Sequence, residues 1–472
     1  MKNLPLFFSL IFCLSISSPS LALPPIAFTN VNVIPMNTEQ VLENQVVLIE
    51  DGKIKTIGKN VKLPQNTQII DAKGQYLIPG LVDMHAHLYA DNPQAFPEKY
   101  APNELQIMLA LGTTTARLMA GNPMQLKLKA QSANNEILAP RLFVSSPEFS
   151  GKKYYKEFRG FEVSSPEKAA AAVRQAKAEG YDFIKMTMLI SLPVYEAVTK
   201  TAKELGIRVV GHINSEVKVK KAIESGQQIE HLDEYMEALL PENAPNDKIG
   251  VSGYGIWKAK NWETMDYVDE KKIAEIVAFT KKHQVYNSPT NAFFTLAFGQ
   301  GLDSAQVAQL PDFKYIPKSE HEKIFQSLKF YHENVRQSAT EERRKKFIDI
   351  RRKLIKSLYE NGCKLLAGSD CPSWFMGYGF TLHRELAQFV AAGLSPFAAL
   401  QTATTTPAEF LKISQEIGTI EKGKTADLIL LSANPLQNIQ NTEKIVGVMS
   451  KGKWLNKNDL DKMLTEAELL FR

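Results

Sequence analysis

The sequence predicts an α/β fold: a (β/α)8 TIM barrel with a small β-sandwich built from both chain ends. Three observations lead there. Six side chains able to bind metal each stand at the end of a strand-like run: His85 and His87 in LIPGLVDMHAH, Lys185 in YDFIKM, His212 in IRVVGH, His231 in QQIEH and Asp370 in LLAGSD. Side chains on successive βα units converge only if the strands lie parallel around one centre, and a barrel places its chemistry at their carboxyl ends. Helix-like segments ending in glycine alternate with these runs. The two ends of the chain share a short-strand texture that the middle lacks.

Residues 1–22 read as an export signal. Lys2 supplies positive charge, residues 6–16 are apolar, and Ser20-Leu21-Ala22 puts small residues where a signal peptidase reads them. The apolar run is too short to span a bilayer, and no later segment is long enough. The expected address is periplasmic or secreted. Beyond the signal only Cys363 and Cys371 remain, flanking one strand, and they read as buried free thiols.

Residues 26–78 form the first part of the sandwich. VVLIEDGKIKTIG is a hairpin with Asp51-Gly52 at its turn, and TQIIDAKGQYLIP repeats the style. Residues 417–456 carry the matching texture in IGTIEKGKTADLILLS and KIVGVMSKGKWL. These parts pair and close the chain around the barrel, residues 79–416, and a C-terminal helix follows over 457–472.

Within the barrel, the helix patterns PEKAAAAVRQAKAEG, LPVYEAVTKTAKELG and SEVKVKKAIESG precede the strands ending in Lys185, His212 and His231. Each helix stops at a glycine, Gly180, Gly206 or Gly226, the residue that best adopts the left-handed conformation needed there. Further strands are expected at TTTARLM, PRLFVSS and VYNSPT. Two stretches break the rhythm, near 235–269 and 291–340. Both are expected to be long irregular loops at the catalytic face, serving as lids or substrate walls. The net charge is +5, but the basic residues are scattered. The densest run, Arg343 to Lys346 with Arg351 to Lys353, alternates with Phe347, Ile348, Ile350, Leu354 and Ile355. It reads as the solvated face of an amphipathic helix, not as a nucleic-acid surface.

The His85-x-His87 spacing puts two imidazoles on one side of an extended strand, since side chains alternate with period two. Lys185 ends an apolar strand, where a charged amine is costly to bury. Burial lowers a lysine pKa, and a neutral amine can add CO2, giving an anionic oxygen ligand able to bridge two cations. Asp370 can touch a metal and accept a proton from water.

These residues, with the flanking segments PGLVDMHAH, LGTTTARL, IEHLDE, AGSD, ELAQFVAAGLSPFAALQTATTTPAEFL and GTIEKGKTADLILL, make the chain resemble the amidohydrolase superfamily of barrel metallohydrolases over residues 26–456. Within it the chain is most similar to the imidazolonepropionase-like and prolidase-like members, which include binuclear dipeptidases. The resemblance implies two divalent metal ions. His85, His87 and Asp370 would hold one, and His212 and His231 the other. Carbamylated Lys185 would bridge them, and Asp370 would be the catalytic proton acceptor. Imidazole and carboxylate donors suit Zn2+. The implied substrate is a dipeptide or another N-acyl amino acid. Alternatives are a cyclic amide or lactone hydrolase or a deaminase on the same site, and a non-catalytic binding protein that keeps the fold. Arg117, Tyr254, Trp257 and Asn287 are the candidate substrate contacts. The chain departs from the subgroup where Leu118 follows Arg117 in place of an acidic residue, and where MTMLIS follows the fourth strand. These departures bear on the substrate and leave the metal ligands intact. The expected partner is a small molecule, with no nucleic acid and no transmembrane segment after signal removal. A homo-oligomer is left open.

Overall fold

A computed structural model describes residues 24–92, 96–151, 160–187, 189–214, 216–241, 244, 261–336 and 338–472. The expected export signal, Tyr254 and Trp257 lie outside the described residues. Five strands open the fold: β1 (Ile26–Val33), β2 (Leu42–Glu50), β3 (Lys53–Gly58), β4 (Gln68–Asp71) and β5 (Tyr76–Pro79). The turn between β2 and β3 is the expected one, with Asp51 and Gly52 both at positive φ (49° and 74°). Such a turn matches the twist of the strands it joins.

The barrel follows. Its eight strands are β6 (Leu81–Ala86), β7 (Thr113–Leu118), β8 (Arg141–Val144), β11 (Phe183–Met186), β12 (Arg208–Gly211), β13 (Ile229–Glu230), β14 (Tyr286–Ser288) and β15 (Lys364–Leu365), with β9 (Phe149–Ser150) and β10 (Phe161–Glu162) as short additions after the third. Parallel ladders join β6 to β7 to β8, β11 to β12, and β13 to β14 to β15. A parallel bridge from Ser145 to Phe183 connects the first group to the second. Gln228 N–H donates to Val209 O at 3.1 Å and connects the second to the third. Met84 N–H to Ala367 O, 2.9 Å, and the Ala86–Cys371 bridge close the ring. The helices lie where their patterns put them. Pro166–Glu179 starts on a Ser165 side-chain cap and ends at Gly180 with φ 94°, and Gly206 and Gly226 follow the next two helices. Cys363 and Cys371 are buried free thiols.

The chain returns to the first sheet through β16 (Leu428–Leu431), β17 (Ile445–Ser450) and β18 (Lys453–Asn456). The sheet runs β18-β17-β16-β5-β1-β2-β3, with β4 also on β1. β1 takes β4 as parallel neighbour along its first half and β5 along its second. The irregularities between Phe28 and Val33 fall where it changes partner, which lets one strand serve both layers. Phe28, Val31, Val47, Leu77, Leu428, Leu430 and Met449 fill the space between. The hairpin turns from the two chain ends abut. A side chain at Gly452 would meet Gly52 Cα at 2.2 Å, so only glycine fits at that contact. The helix Lys457–Phe471 ends the chain on an Asn456–Asp459 capping box. No helix among the described residues is long and apolar enough to cross a membrane.

Two expectations need correction. The stretch 291–340 is not an irregular loop. It contains helices Asn291–Phe294, Ser304–Ala308 and Lys318–Phe330, with π-helical turns at Thr295–Gly299 and Tyr331–Val335. Phe294, Phe298, Ile324, Leu328, Tyr331 and Val335 recur at helical spacing and are buried, which gives the segment its own apolar stripe. The helix Glu341–Glu360 forms as expected, but its basic residues are not all solvated. Arg344 and Arg351 point inward, Arg351 with 1% exposure.

Candidate metal centre

The barrel brings the six predicted side chains to one cavity of about 670 Å3 at the carboxyl ends of its strands. His85 and Lys185 lie within β6 and β11, each 1% exposed. His87 follows β6, His212 follows β12, His231 follows β13, and Asp370 lies beyond β15. The His85 and His231 ring centres are 4.6 Å apart, His212 and His231 4.8 Å, and His85 and His87 5.3 Å. Asp370 Oδ1 lies 3.3 Å from His85 Nε2 and 3.4 Å from His87 Nε2. One ligand atom each from His85, His231 and Asp370 falls within 4.8 Å of the others, a spacing that can hold a metal ion.

Three imidazoles are oriented from behind. His85 Nδ1 is 2.8 Å from Glu230 Oε2, and His212 Nδ1 is 2.8 Å from Asp233 Oδ2. An ionised carboxylate only accepts, so each Nδ1 carries the proton. His231 Nδ1 is 2.7 Å from Thr290 Oγ1, whose own proton goes to Pro289 O. That hydroxyl therefore accepts, and the same tautomer results. Each ring then turns an unprotonated Nε2 outward, the arrangement metal-binding histidines use. His85 Nε2 is buried with no hydrogen-bond partner. A metal ion is the group that satisfies such a lone pair beside other imidazoles and a carboxylate, so the donor set fits one.

Burial holds the His85 and His231 imidazoles well below the usual histidine pKa. They remain neutral at physiological pH, as ligands must. Burial also lowers the Lys185 amine, against the opposing pull of Glu230, Glu148 and Asp370. Asp370 runs the other way. Burial would raise its carboxyl, but the hydrogen bond and charge of His87 and the charge of Lys185 help hold it below the ordinary value.

Arg117 and Asn287 do not reach the cavity. Arg117 is fully buried, donating to Met84 O (2.6 Å), Gln228 Oε1 (2.7 Å) and Glu230 Oε1 (2.6 Å). Its fork is used beneath the metal ligands, neutralising Glu230. Asn287 accepts from Tyr235 Oη at 2.9 Å and donates to Val285 O, so its amide is used within the buried interior. Phe293, Phe294, Tyr89, Glu148 and Glu320 are among the residues that line the cavity instead. Sequence reasoning also missed Glu230, Asp233, Thr290 and Arg351. Glu230 and Asp233 stand inside IEHLDE, beside a predicted ligand. Nothing in the sequence marks Arg351.

The turn after His87 rests on Glu104. This buried carboxyl accepts from Tyr89 N–H (2.6 Å), Ala90 N–H (3.1 Å) and Tyr378 Oη. Burial pushes its pKa from 4.5 to about 8, even though these bonds favour the charged form.

A closed parallel barrel with ligands at its carboxyl-end mouth defines a barrel metal centre. The amidohydrolase family profile matches residues 76–455, and the chain belongs to that family. Among curated relatives, a dihydroorotase of Geobacter metallireducens is 52% identical over 42 residues, 9% of this chain and 10% of that protein. A deacetylase of Agrobacterium fabrum is 39% identical over 66 residues, 14% of this chain and 16% of that protein. These matches therefore span only a small part of the relatives' length. Among solved structures, a bottromycin amidohydrolase superposes with a TM-score of 0.72 at 21% identity, covering 94% of this chain and 89% of that one. A Xaa-Pro dipeptidase with bound methionine superposes with a TM-score of 0.65 at 21% identity, covering 92% and 100%.

Glu104 predicts a pH effect. Its native pKa lies above its unfolded one, so the native state holds an extra proton between about 4.5 and 8. The resulting stability is fully present below that window and is lost as pH rises through it. Urea unfolding of wild type and Glu104→Gln at pH 5, 6.5 and 8 should show the wild-type advantage shrinking steadily with pH. A constant difference would mean that Glu104 is ionised in the folded protein.

Proposed function

We propose that this protein is a metal-dependent hydrolase that cleaves a carbon–nitrogen bond in a small substrate, with a dipeptide or N-acyl amino acid the favoured class. The observation that carries this reading is the His85–His231–Asp370 group at the floor of a cavity large enough for such a molecule. The similarity in fold to a Xaa-Pro dipeptidase supports the dipeptide class. So does the similarity to a prolidase complexed with N-methylphosphonate-L-proline, with a TM-score of 0.63 at 20% identity over 92% of this chain and 99% of that one. The local match to a deacetylase supports the N-acyl class.

His85, His87 and Asp370 would hold one divalent ion and His212 and His231 a second, with Zn2+ the ion best suited to these donors. When bound, such ions polarise the scissile carbonyl and lower the pKa of water. Lys185 would add CO2 through its amine with release of one proton, and the carbamate so formed would supply an anionic oxygen ligand. Its lowered pKa supports this step, because only the neutral amine reacts. Asp370, ionised at neutral pH, accepts the proton of the attacking water and returns it to the departing amine. Phe293 and Phe294 give one wall apolar surface for a substrate side chain. Metal-loaded protein screened against dipeptides, N-acyl amino acids, cyclic amides and lactones tests the reading. Turnover of none of these, or the absence of tightly bound metal, would refute it.

Purified wild type should carry two metal ions per chain by elemental analysis. Lys185→Ala should lose one ion and most activity, and a short carboxylate such as propionate should restore part of both. One metal per wild-type chain at saturation would end the two-metal reading.

Asp370→Asn should keep the fold and lower kcat by about 10²–10⁴-fold, the usual effect of removing a general base, with a smaller change in KM. Metal content must be measured alongside, since Asp370 is also a ligand in this scheme. A variant that retains its metals and near-normal kcat shows that Asp370 is not the base.

A periplasmic or secreted location is part of the proposal, supported by Lys2, the apolar residues 6–16 and Ser20-Leu21-Ala22. N-terminal sequencing of the exported protein should begin near Leu23. An intact Met1 on mature cytoplasmic protein contradicts it.

A further inference from the structure

Arg351 belongs to the helix Glu341–Glu360, outside the barrel strands, yet its guanidinium is buried beneath the metal centre. Nη1 donates to His231 O at 2.9 Å, Nη2 to Pro289 O at 2.7 Å, and Nε to Asn291 Oδ1 at 2.8 Å. The first carbonyl belongs to a predicted metal ligand. The second accepts from both Arg351 and the Thr290 hydroxyl, and that hydroxyl orients His231 Nδ1. One planar cation therefore ties together the ends of β13 and β14, the two strands that supply His231 and the group behind it.

The backbone at both ends explains why a tie is needed. His231 and Leu232 have φ of 59° and 54°, and Thr290 has φ of 48°. A β-branched residue in the left-handed region is strained, and such conformations persist only where surrounding bonds enforce them. Without the guanidinium, the His231 carbonyl loses this donor, the Pro289 carbonyl keeps only the Thr290 hydroxyl, and both ends can relax toward extended backbone. His231 would then swing away from the cavity. The guanidinium also lies over the Phe294 ring, 3.7 Å from its centre, and Phe294 lines the cavity. A lysine could not reproduce this, because it offers a point charge where a planar fork is bonded on three sides.

We propose that Arg351 is a positioning residue: it holds His231 in ligating geometry by clamping the carboxyl ends of β13 and β14, and it braces the Phe294 wall of the same cavity. The proposal rests on His231 being a metal ligand. The test measures Co2+ affinity and the Co2+ visible absorption spectrum for wild type, Arg351→Lys, Thr290→Val, the double variant, His231→Ala, and His231→Ala with Arg351→Lys. Changing a group behind a ligand typically weakens metal binding by about 10–100-fold. Arg351→Lys and Thr290→Val should each do so with altered spectra, and the double variant should lose little more than the worse single. In the His231→Ala background, Arg351→Lys should change Co2+ affinity less than twofold. Wild-type affinity and spectrum in folded Arg351→Lys would overturn the proposal, and so would a full further loss in the His231→Ala background. If Arg351→Lys does not fold, Asn291→Ala decides, because it frees only the Nε arm. A several-fold loss of Co2+ affinity supports the clamp, and an unchanged affinity overturns it. If His231→Ala itself binds Co2+ like wild type, His231 is not a ligand, and the underlying reading fails separately from the clamp.

Discussion

Glu230 has no access to water, and the centre depends on how its charge is met. One oxygen takes Arg117, and the other takes the Nδ1 proton of His85. A buried carboxylate left without either partner costs about 3–5 kcal/mol, so neither bond is optional. Through Arg117 the same charge reaches Met84 O on β6 and Gln228 just before β13. Strands one, two and six of the barrel are thus locked together by the group that also sets the tautomer of His85. Asp233 and Thr290 repeat the tautomer-setting role for His212 and His231 without carrying the barrel.

Much of this could be read from the sequence because metal chemistry restricts residue types. His85, His87, Lys185, His212, His231 and Asp370 are recognisable as a set, and their order along βα units requires the topology that unites them. The glycines ending the helices and the Asp51-Gly52 turn were legible for a similar reason, since few residues tolerate positive φ. Residues whose role depends on distant partners were not legible. Arg117 looks like a substrate anchor until its three acceptors are seen. Arg351 looks like one of several surface arginines because helical periodicity cannot tell a buried cation from a solvated one at the stripe's edge. The helices after β14 were obscured because two of them, Asn291–Phe294 and Ser304–Ala308, are too short for an apolar stripe to repeat along them.

Five non-glycine residues at the barrel mouth, His231, Leu232, Glu234, Thr290 and Asp370, have positive φ. Turning the chain sharply as it leaves a strand lets consecutive residues serve different purposes. Glu230 points down toward Arg117 while His231 reaches the cavity. The barrel supplies the rigidity that makes such turns affordable, and the same strands contribute hydrogen bonds on one side and ligands on the other.

The terminal sheet bears on the order in which the chain can be completed. β5 leads within two residues into β6, the strand carrying His85, and its antiparallel neighbour is β16, near the opposite end of the chain. While the protein is being synthesised, β5 keeps an open edge and Leu77 lacks much of its apolar cover until Leu428–Leu431 emerges. Contacts between such distant segments form slowly, and exposed strand edges invite association with other chains. The nascent protein therefore spends most of its synthesis unable to seal the sheet beneath its first ligand strand. Until that distant segment is in place, the edge of β5 stays open to pairing with other strands.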